Sequence, residues 1–144
     1  MGQILVGVDG SPDSQRALQW AVDEAAIRGV SVDVIHAYKT EYIYYLDIPS
    51  TVVIPRHDIE SAAQLAVGKV VDSIDNPTEV QISVEMVNSG NPAGEIAERS
   101  EKYDMVVLGS RGLGGLSGLL LGSVSAKVSH HSKCPVVIVP HEDE

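Results

Sequence analysis

Apolar residues follow two different spacings along the chain, and each spacing predicts one kind of secondary structure. Residues Gln3 to Val8 form a short aliphatic run, which is typical of a buried strand. The apolar residues that follow are three or four positions apart as far as Gly29, which indicates one face of a helix. Ser11 suits the N-cap of that helix, Pro12 its first position and Gly29 its end. The chain therefore begins with a strand, a turn and a helix.

The same order of strand and helix continues to the end of the chain. Strands that alternate with helices predict a parallel sheet covered on both faces, because each right-handed crossover returns the chain to the same end of the sheet. We therefore expect a single-domain α/β fold with an open, five-stranded parallel sheet. The further strands are predicted at Val30–Ala37, Val80–Val87, Met105–Leu108 and Pro135–Val139, and the further helices at Ile59–Ile74, from Asn91 through Ala97, and from Gly122 to about His131.

One segment departs from both spacings. Thr40 to Asp58 contains three tyrosines and two prolines between Tyr42 and Pro55, a composition that favours turns over a continuous helix. We predict that this segment is an inserted loop over the edge of the sheet.

Composition and charge narrow the classes of function. The chain has 144 residues, 44% of them hydrophobic and 21% charged, which fits one globular domain. With 20 acidic against 10 basic residues, its formal charge of -10 disfavours binding to nucleic acid or to anionic lipid, because both depend on neutralising phosphates.

The chain also lacks the marks of export or of a membrane span. Its longest aliphatic runs, such as Val136–Val139, are far shorter than the ~20 residues that cross a bilayer, and Met1-Gly2-Gln3 lacks a basic start. Cys134 is the only cysteine, so no disulfide can form within the chain. We expect a cytoplasmic protein.

The most distinctive segment runs from Gly109 to Ser125, with glycine at positions 109, 112, 114, 115, 118 and 122. Glycines between a buried strand and a helix N-terminus suit phosphate binding, because the first N–H groups of a helix have no partner within it. The hydroxyls of Ser123 and Ser125 could donate to phosphate oxygens, and Arg111 could add a charged contact. The alternative is a surface loop capped by Ser123.

Two common nucleotide signatures do not fit this chain. A P-loop requires Gly-Lys followed by Ser or Thr, whereas Gly68-Lys69 precedes Val70 in a predicted helix. The dinucleotide pattern that begins at Gly112 has Ser117 at its third glycine position and follows the fourth strand instead of the first. A Walker-type NTPase is excluded, and a nicotinamide enzyme is disfavoured.

The spacing does resemble that of the universal stress protein family: Gly, two residues, Gly, nine residues, then Gly and Ser or Thr. Gly109, Gly112, Gly122 and Ser123 occupy these positions. The opening ILVGVDGS, the segment VIHA, the segment NSGNP and the closing HHSKCPVVIVP extend the resemblance over nearly the whole chain. In that family the glycine pattern distinguishes members that bind ATP, so the resemblance implies an ATP-binding protein with a Rossmann-like fold.

The resemblance also implies a set of contacts. Glycine and serine residues of the loop would surround the phosphates and ribose, and Asp9 would lie near the ribose and a phosphate-bound metal. Val8 and Ala37 would line the adenine pocket, the latter through its main chain. Because a carboxylate repels phosphates, we expect Mg²⁺ or Mn²⁺ between them. The predicted nucleotide contacts are Val8, Asp9, Ala37, Gly109, Arg111, Gly112, Gly122, Ser123, Val124 and Ser125.

A strand order of 3-2-1-4-5 would give this arrangement a physical basis. Strands one and four would then be neighbours where the winding reverses, and their carboxyl ends would frame a crevice. Asp9 and Gly109 end those two strands. The alternative for Asp9 is a turn-forming aspartate without a ligand.

The sequence contains no convincing catalytic base for hydrolysis. We therefore expect nucleotide binding with slow or no hydrolysis and a regulatory role in stress. Ser123 has no identifiable histidine partner, and His130 and His131 are adjacent, which points them in different directions from a helix. The alternatives are a weak ATPase or autophosphorylating enzyme and a nucleotide-free interaction module. We expect a homodimer through the exposed edge strand Val136–Val139, as in the resembling family.

Overall fold

The protein is a five-stranded parallel sheet with two helices against each face, as described by a computed structural model for residues 3–39, 56–111 and 121–142. A short 3₁₀ turn, Ser100–Lys102, precedes the fourth strand. The strands are β1 (Gln3–Gly7), β2 (Ser31–Tyr38), β3 (Ile82–Asn88), β4 (Met105–Gly109) and β5 (Val136–Val139), and the helices are α1 (Pro12–Arg28), α2 (Arg56–Asp72), α3 (Pro92–Arg99) and α4 (Ser123–His131).

The strand order is β3-β2-β1-β4-β5, and every pair is parallel. Both the α/β class and the predicted order are confirmed. β1 pairs with β4 in a register that aligns Ile4 with Met105 and Val6 with Val107. The carboxyl ends of β1 and β4 therefore lie side by side, at the point where the winding of the sheet reverses direction.

The core has two layers because successive side chains of a strand point to opposite faces. Ile4 and Val6 face α1 and α2, whereas Leu5 faces α3 and α4, and all three are essentially inaccessible to solvent. Burying each such side chain stabilises the fold by about 1.5–3 kcal/mol. This explains why the central strand β4 has no polar side chain, while the edge strands β3 and β5 are only partly buried.

The ends of two helices follow the sequence signals closely. The Ser11 hydroxyl accepts a hydrogen bond from the Ser14 amide at 3.2 Å, and Gly29 ends α1 in the left-handed conformation, with φ of 69°. The Asn91 side chain caps α3 through the Gly94 amide. The predicted caps of α1 and the predicted start of α3 are confirmed.

Both ends of α2 and the start of β3 differ from the prediction by two or three residues, and α2 ends at Asp72 instead of Ile74. Helix α2 begins at Arg56 instead of Ile59, because the helix can start directly after Pro55 and Asp58 is favourable in its first turn. Strand β3 begins at Ile82 instead of Val80, because the Asn76 side chain bonds both the N–H and the carbonyl of Val80 at 2.8 Å. The remainder of the predicted insertion, residues 40–55, lies outside the described residues.

Among the helices that the structure describes, none combines the length and the apolar composition needed to cross a bilayer.

Candidate functional site

The end of β1 is a tight turn held by its own side chains. Asp9 Oδ1 accepts a hydrogen bond from the Ser11 amide at 2.9 Å, and Gly10 adopts a φ of 88°, which favours glycine. Val8 is buried, and its N–H donates to the Ile35 carbonyl at 3.0 Å. Asp9 thus forms the turn that the alternative interpretation predicted, and it does so half-exposed at the edge of the crevice.

The neighbouring strand β2 supports this turn from the side. The Nδ1 atom of the buried His36 lies 2.6 Å from the Val8 carbonyl oxygen, and because a carbonyl oxygen can only accept, Nδ1 is the donor in this hydrogen bond. Ala37 follows it, half-buried and aligned with Val87 of β3. The main chain of Val8 is therefore bonded on both sides, and its orientation is fixed before any ligand arrives.

The end of β4 is joined to the start of α4 by two hydrogen bonds. The Gly122 amide donates to the Ser110 carbonyl at 2.5 Å, and the Ser125 hydroxyl donates to the Gly109 carbonyl at 2.6 Å. These bonds close the neck, by which we mean Gly109–Arg111 together with Gly122–Ser125. The hydroxyl proton of Ser125 is thus already used, so Ser125 contacts an anion with its hydroxyl only after breaking that bond.

Gly109 is required by packing against α1. A Cβ atom at this position would lie 2.8 Å from the Asp13 carbonyl carbon and 2.9 Å from its carbonyl oxygen, distances that real Cβ atoms essentially never show. The close approach that a glycine permits is therefore to the first turn of α1. Gly122 has a φ of -71°, which any residue can adopt. Backbone conformation therefore does not explain why a glycine occupies this position.

The carboxylate of Asp13 links three separate parts of the chain, a role that no motif in the sequence indicates. Its Oδ2 accepts from the Arg111 amide at 3.1 Å and lies 3.5 Å from the Ser110 hydroxyl oxygen. Its Oδ1 lies 2.8 Å from His141 Nδ1 and also bonds the Arg16 guanidinium. The only sign of this role in the sequence is weak, namely that Asp13 is an acidic residue in the first turn of a helix.

Burial and partners act on the pKa of Asp13 in opposite directions. Burial alone raises the pKa, but the hydrogen bond from His141, the charges of Arg16 and His141 and the Arg111 amide together outweigh it. The pKa of Asp13 is therefore lowered, and the side chain is ionised at neutral pH.

The N-cap residue of α4 is Gly122, and no side chain of the described residues caps this helix. Ser123 is exposed at the first helical position, and Val124 packs against the core between α3, α4 and the sheet. The Nε atom of Arg111, at the other side of the neck, is buried without a hydrogen-bond partner among the described residues. A buried donor without a partner is costly, so an anion at this point would satisfy it.

The structure brings most of the predicted contacts to one end of the sheet. Val8 and Asp9 end β1, Ala37 lies near the end of β2, and Gly109 and Arg111 end β4 beside Gly122 and its helix. Gly112 lies outside the described residues. In the described ranges, the His, Cys, Asp and Glu side chains form no group of three that could hold a metal ion.

A groove of about 500 Å³ lies elsewhere, between α1 and α2. It begins at Gly10 and is lined by Gln15, Leu65, Lys69 and Ser73, among others. None of the predicted nucleotide contacts lines it, although Gly10 directly follows Asp9.

Relatives found by sequence are similar over nearly the whole chain. Universal stress protein Rv2005c of Mycobacterium tuberculosis is 35% identical over 136 residues, which cover 94% of this chain and 44% of that protein. The chain thus spans less than half the length of this relative. Universal stress protein YxiE of Bacillus subtilis is 32% identical over 145 residues, covering 95% of this chain and 97% of that protein.

Solved structures with the same fold include proteins described with nucleotides. A universal stress protein in complex with cAMP is 25% identical, with a TM-score of 0.68 over 99% of this chain and 98% of that one. The universal stress protein from Archaeoglobus fulgidus in complex with dAMP has a TM-score of 0.62 and 20% identity, over 96% and 97% of the two chains, a likeness in fold alone.

The family profile described as the Universal stress protein family matches residues 1–140. This match spans both the crevice and all of the predicted contacts, and it agrees with the relatives found by sequence. The chain belongs to the universal stress protein family.

Proposed function

We propose that this protein binds an adenine nucleotide, ATP in the cell, at the crevice between β1 and β4. The observation that carries the proposal is the neck, where the uncapped start of α4 faces the end of β4. Helix N-terminal amides without a partner attract anions, and Gly122 leaves no side chain in the way. The phosphates would occupy this position.

Arg111 supports the same assignment. Its buried Nε is a donor with no partner among the described residues, in a protein whose net charge of -10 is otherwise unfavourable for anions. A phosphate oxygen would supply the missing acceptor through a charge-assisted hydrogen bond. The binding energy would thus come from a few local groups, because the overall charge repels the ligand.

The comparisons support the class of ligand. The related structures described above hold cAMP and dAMP, which share adenine and at least one phosphate. Val8 and Ala37 would contact the adenine, and the amides of Ser123, Val124 and Ser125 would receive the phosphates. Gly112 would complete the phosphate loop.

A divalent metal would accompany the nucleotide. The half-exposed Asp9 carboxylate is a hard oxygen ligand of the kind that Mg²⁺ and Mn²⁺ prefer, and it lies at the same end of the sheet as the neck. The ion would offset the repulsion between this carboxylate and the phosphates.

We propose a regulatory role in the stress response, with slow or no hydrolysis. His141 directs Nδ1 to Asp13, and Ser125 donates to Gly109, so neither group is arranged to activate a water molecule. Occupancy can regulate the protein only if two of its states differ in affinity for the nucleotide. Single-turnover measurement of phosphate release from ATP tests this point, and release within seconds would establish an ATPase instead.

Calorimetric titration with ATP and Mg²⁺ tests binding itself. The variant Gly122→Val should lose measurable affinity, because valine fills the space beside the α4 amides, while its φ of -71° remains acceptable. Gly68→Val is the matched control, since a Cβ there meets nothing within 4 Å. Both variants should keep the circular dichroism spectrum of the wild type. Unchanged ATP affinity in folded Gly122→Val would refute the site.

We also propose a homodimer through β5. In the described residues this strand pairs only with β4, so its other edge exposes unpaired backbone groups, and Val136–Val139 are all only partly buried. Proteins rarely leave such an edge open. Light scattering should give twice the mass of one chain, 15.3 kDa, and a monomeric mass would contradict the proposal.

A further inference from the structure

We propose that Asp13 is a positioning residue for nucleotide binding, because it fixes the backbone where the glycine loop leaves β4. This inference rests on the proposed function of the neck. Asp13 itself would not touch the nucleotide. It would act through Ser110 and Arg111, whose main chain begins the loop.

The first part of the argument is the pair of contacts made by Oδ2. This oxygen accepts from the Arg111 amide at 3.1 Å and lies 3.5 Å from the Ser110 hydroxyl oxygen. The Ser110 carbonyl, in turn, accepts from the Gly122 amide, and the Ser110 amide donates to Val139 of β5. The two residues at the base of the loop are therefore held from α1, α4 and β5 together.

The second part is the pair of contacts made by Oδ1. His141 Nδ1 lies 2.8 Å from Oδ1, and the Arg16 guanidinium also bonds this oxygen. The Nη1 atom of Arg16 lies, in turn, 3.8 Å from Glu142 Oε2. Asp13 is only 4% exposed. A buried carboxylate is tolerated when charged partners surround it. His141 and Arg16 thus stabilise an anion that would otherwise oppose a phosphate-binding neck.

The consequence for binding is preorganisation. A neck whose backbone is already fixed loses less conformational entropy when a ligand binds, so more of the contact energy appears as affinity. Without the Asp13 carboxylate, the Arg111 amide has lost its acceptor and the nucleotide must order this backbone itself. The effect should grow with the number of phosphates, because the loop is proposed to hold the phosphates and not the adenine.

The test compares Asp13→Ala, Asp13→Asn and the control Asp23→Ala in calorimetric titrations with ATP and with AMP. Asp23 is exposed on the same helix, where its carboxylate accepts a hydrogen bond from the Gln19 side chain. Asp13→Ala should weaken ATP binding by about tenfold and AMP binding less. Asp13→Asn retains an oxygen for the Arg111 amide and should recover part of the loss. Asp23→Ala should bind as the wild type does.

A second measurement, made without nucleotide, tests directly whether Asp13 holds the Arg111 backbone. Hydrogen exchange at the Arg111 amide should be slow in the wild type, fast in Asp13→Ala and intermediate in Asp13→Asn. If Asp13→Ala does not fold, His141→Ala keeps the carboxylate but removes one of its partners, and it should raise both the exchange rate and the ATP dissociation constant.

The outcomes separate the two proposals. If the wild type binds neither ATP nor AMP, the proposed function fails. If the wild type binds and the folded Asp13 variants, or His141→Ala in their place, match its ATP affinity, only the role of Asp13 fails. Equal losses for ATP and AMP would indicate a general distortion and would also overturn it.

Discussion

Two connections at the same end of the sheet, β1 to α1 and β4 to α4, are built in opposite ways. The first turn is local: Asp9 bonds Ser11, and Ser11 bonds Ser14, over separations of two and three residues. The neck depends on distant residues, since Arg111 bonds Asp13 across 98 positions and Asp13 bonds His141 across 128. One helix start is capped by its own side chain, and the other has no side-chain cap.

This difference bears on where the phosphates of a nucleotide would bind. A capped helix start already satisfies one of its amides, so an anion gains less there. An uncapped start retains that capacity, but its backbone must be held by something else, and here the rest of the fold holds it.

The largest effect is expected from Gly109→Ala, which forces a Cβ atom against the backbone of Asp13 at 2.8 Å. Overpacking against backbone cannot be relieved by rotating a side chain, so we expect a loss of about 3 kcal/mol in the free energy of unfolding. Urea unfolding measures it. Gly68→Ala is the control and should stabilise α2 by up to about 1 kcal/mol. A neutral Gly109→Ala would mean that α1 and β4 are not in close contact.

The next largest effect is the loss of the Asp13 carboxylate, and it should depend on pH. Asp13→Asn should destabilise the protein by about 1.5–3 kcal/mol near neutral pH, the range for hydrogen bonds to charged groups. Because the folded pKa of Asp13 lies below its ordinary value of 3.8, its stabilising effect is complete above that value and is lost as the pH falls through the folded pKa. Urea unfolding of both proteins between about pH 7 and 3 should show the difference shrinking. A constant difference would exclude the ionised carboxylate as its source.

Ser11→Ala should cost about 1 kcal/mol, because it removes the cap of α1. Asn91→Ala, which removes the cap of α3, should cost a similar amount. Thermal unfolding measures both. Neither variant should strengthen ATP binding; a marked gain for Ser11→Ala would show that the start of α1 also receives phosphate, and the contrast between the two helix starts would fail.

The smallest effect on stability is expected from Gly122→Ser, which gives α4 the side-chain cap that it lacks. The backbone angles at Gly122 already suit an N-cap, so the helix should gain a few tenths of a kcal/mol, about as much as other Gly-to-Ser caps. The ATP dissociation constant should rise, because the new hydroxyl occupies an amide proposed for the phosphates. Gly122→Ala separates the cap from the added bulk: without a hydroxyl, it should not stabilise α4.

Most of the fold could be predicted from the sequence because its signals are short in range. Ser11, Pro12 and Gly29 marked both ends of α1, and the fully apolar Met105–Leu108 marked a central strand. The errors occurred where a side chain outside the apolar pattern decides the boundary, as Asn76 does for the start of β3. The periodicity of apolar residues carries no information about such bonds.

The candidate site was predictable only in part. The spacing of Gly109, Gly122 and Ser123 indicated the loop, and the strand order places Gly109 at the same end of the sheet as Asp9, as expected. The packing reason for Gly109 and the role of Asp13 were not foreseen, because both arise from residues about 100 positions apart.

Interactions between neighbours along the chain are enough to specify the succession of strands and helices, the caps of α1 and α3 and the presence of a glycine-rich connection. The folded chain was needed to show that a carboxylate from α1 holds the base of that connection and that a histidine beyond β5 holds the carboxylate. Such bonds join groups that the completed sheet brings together, so no single segment of the sequence encodes them.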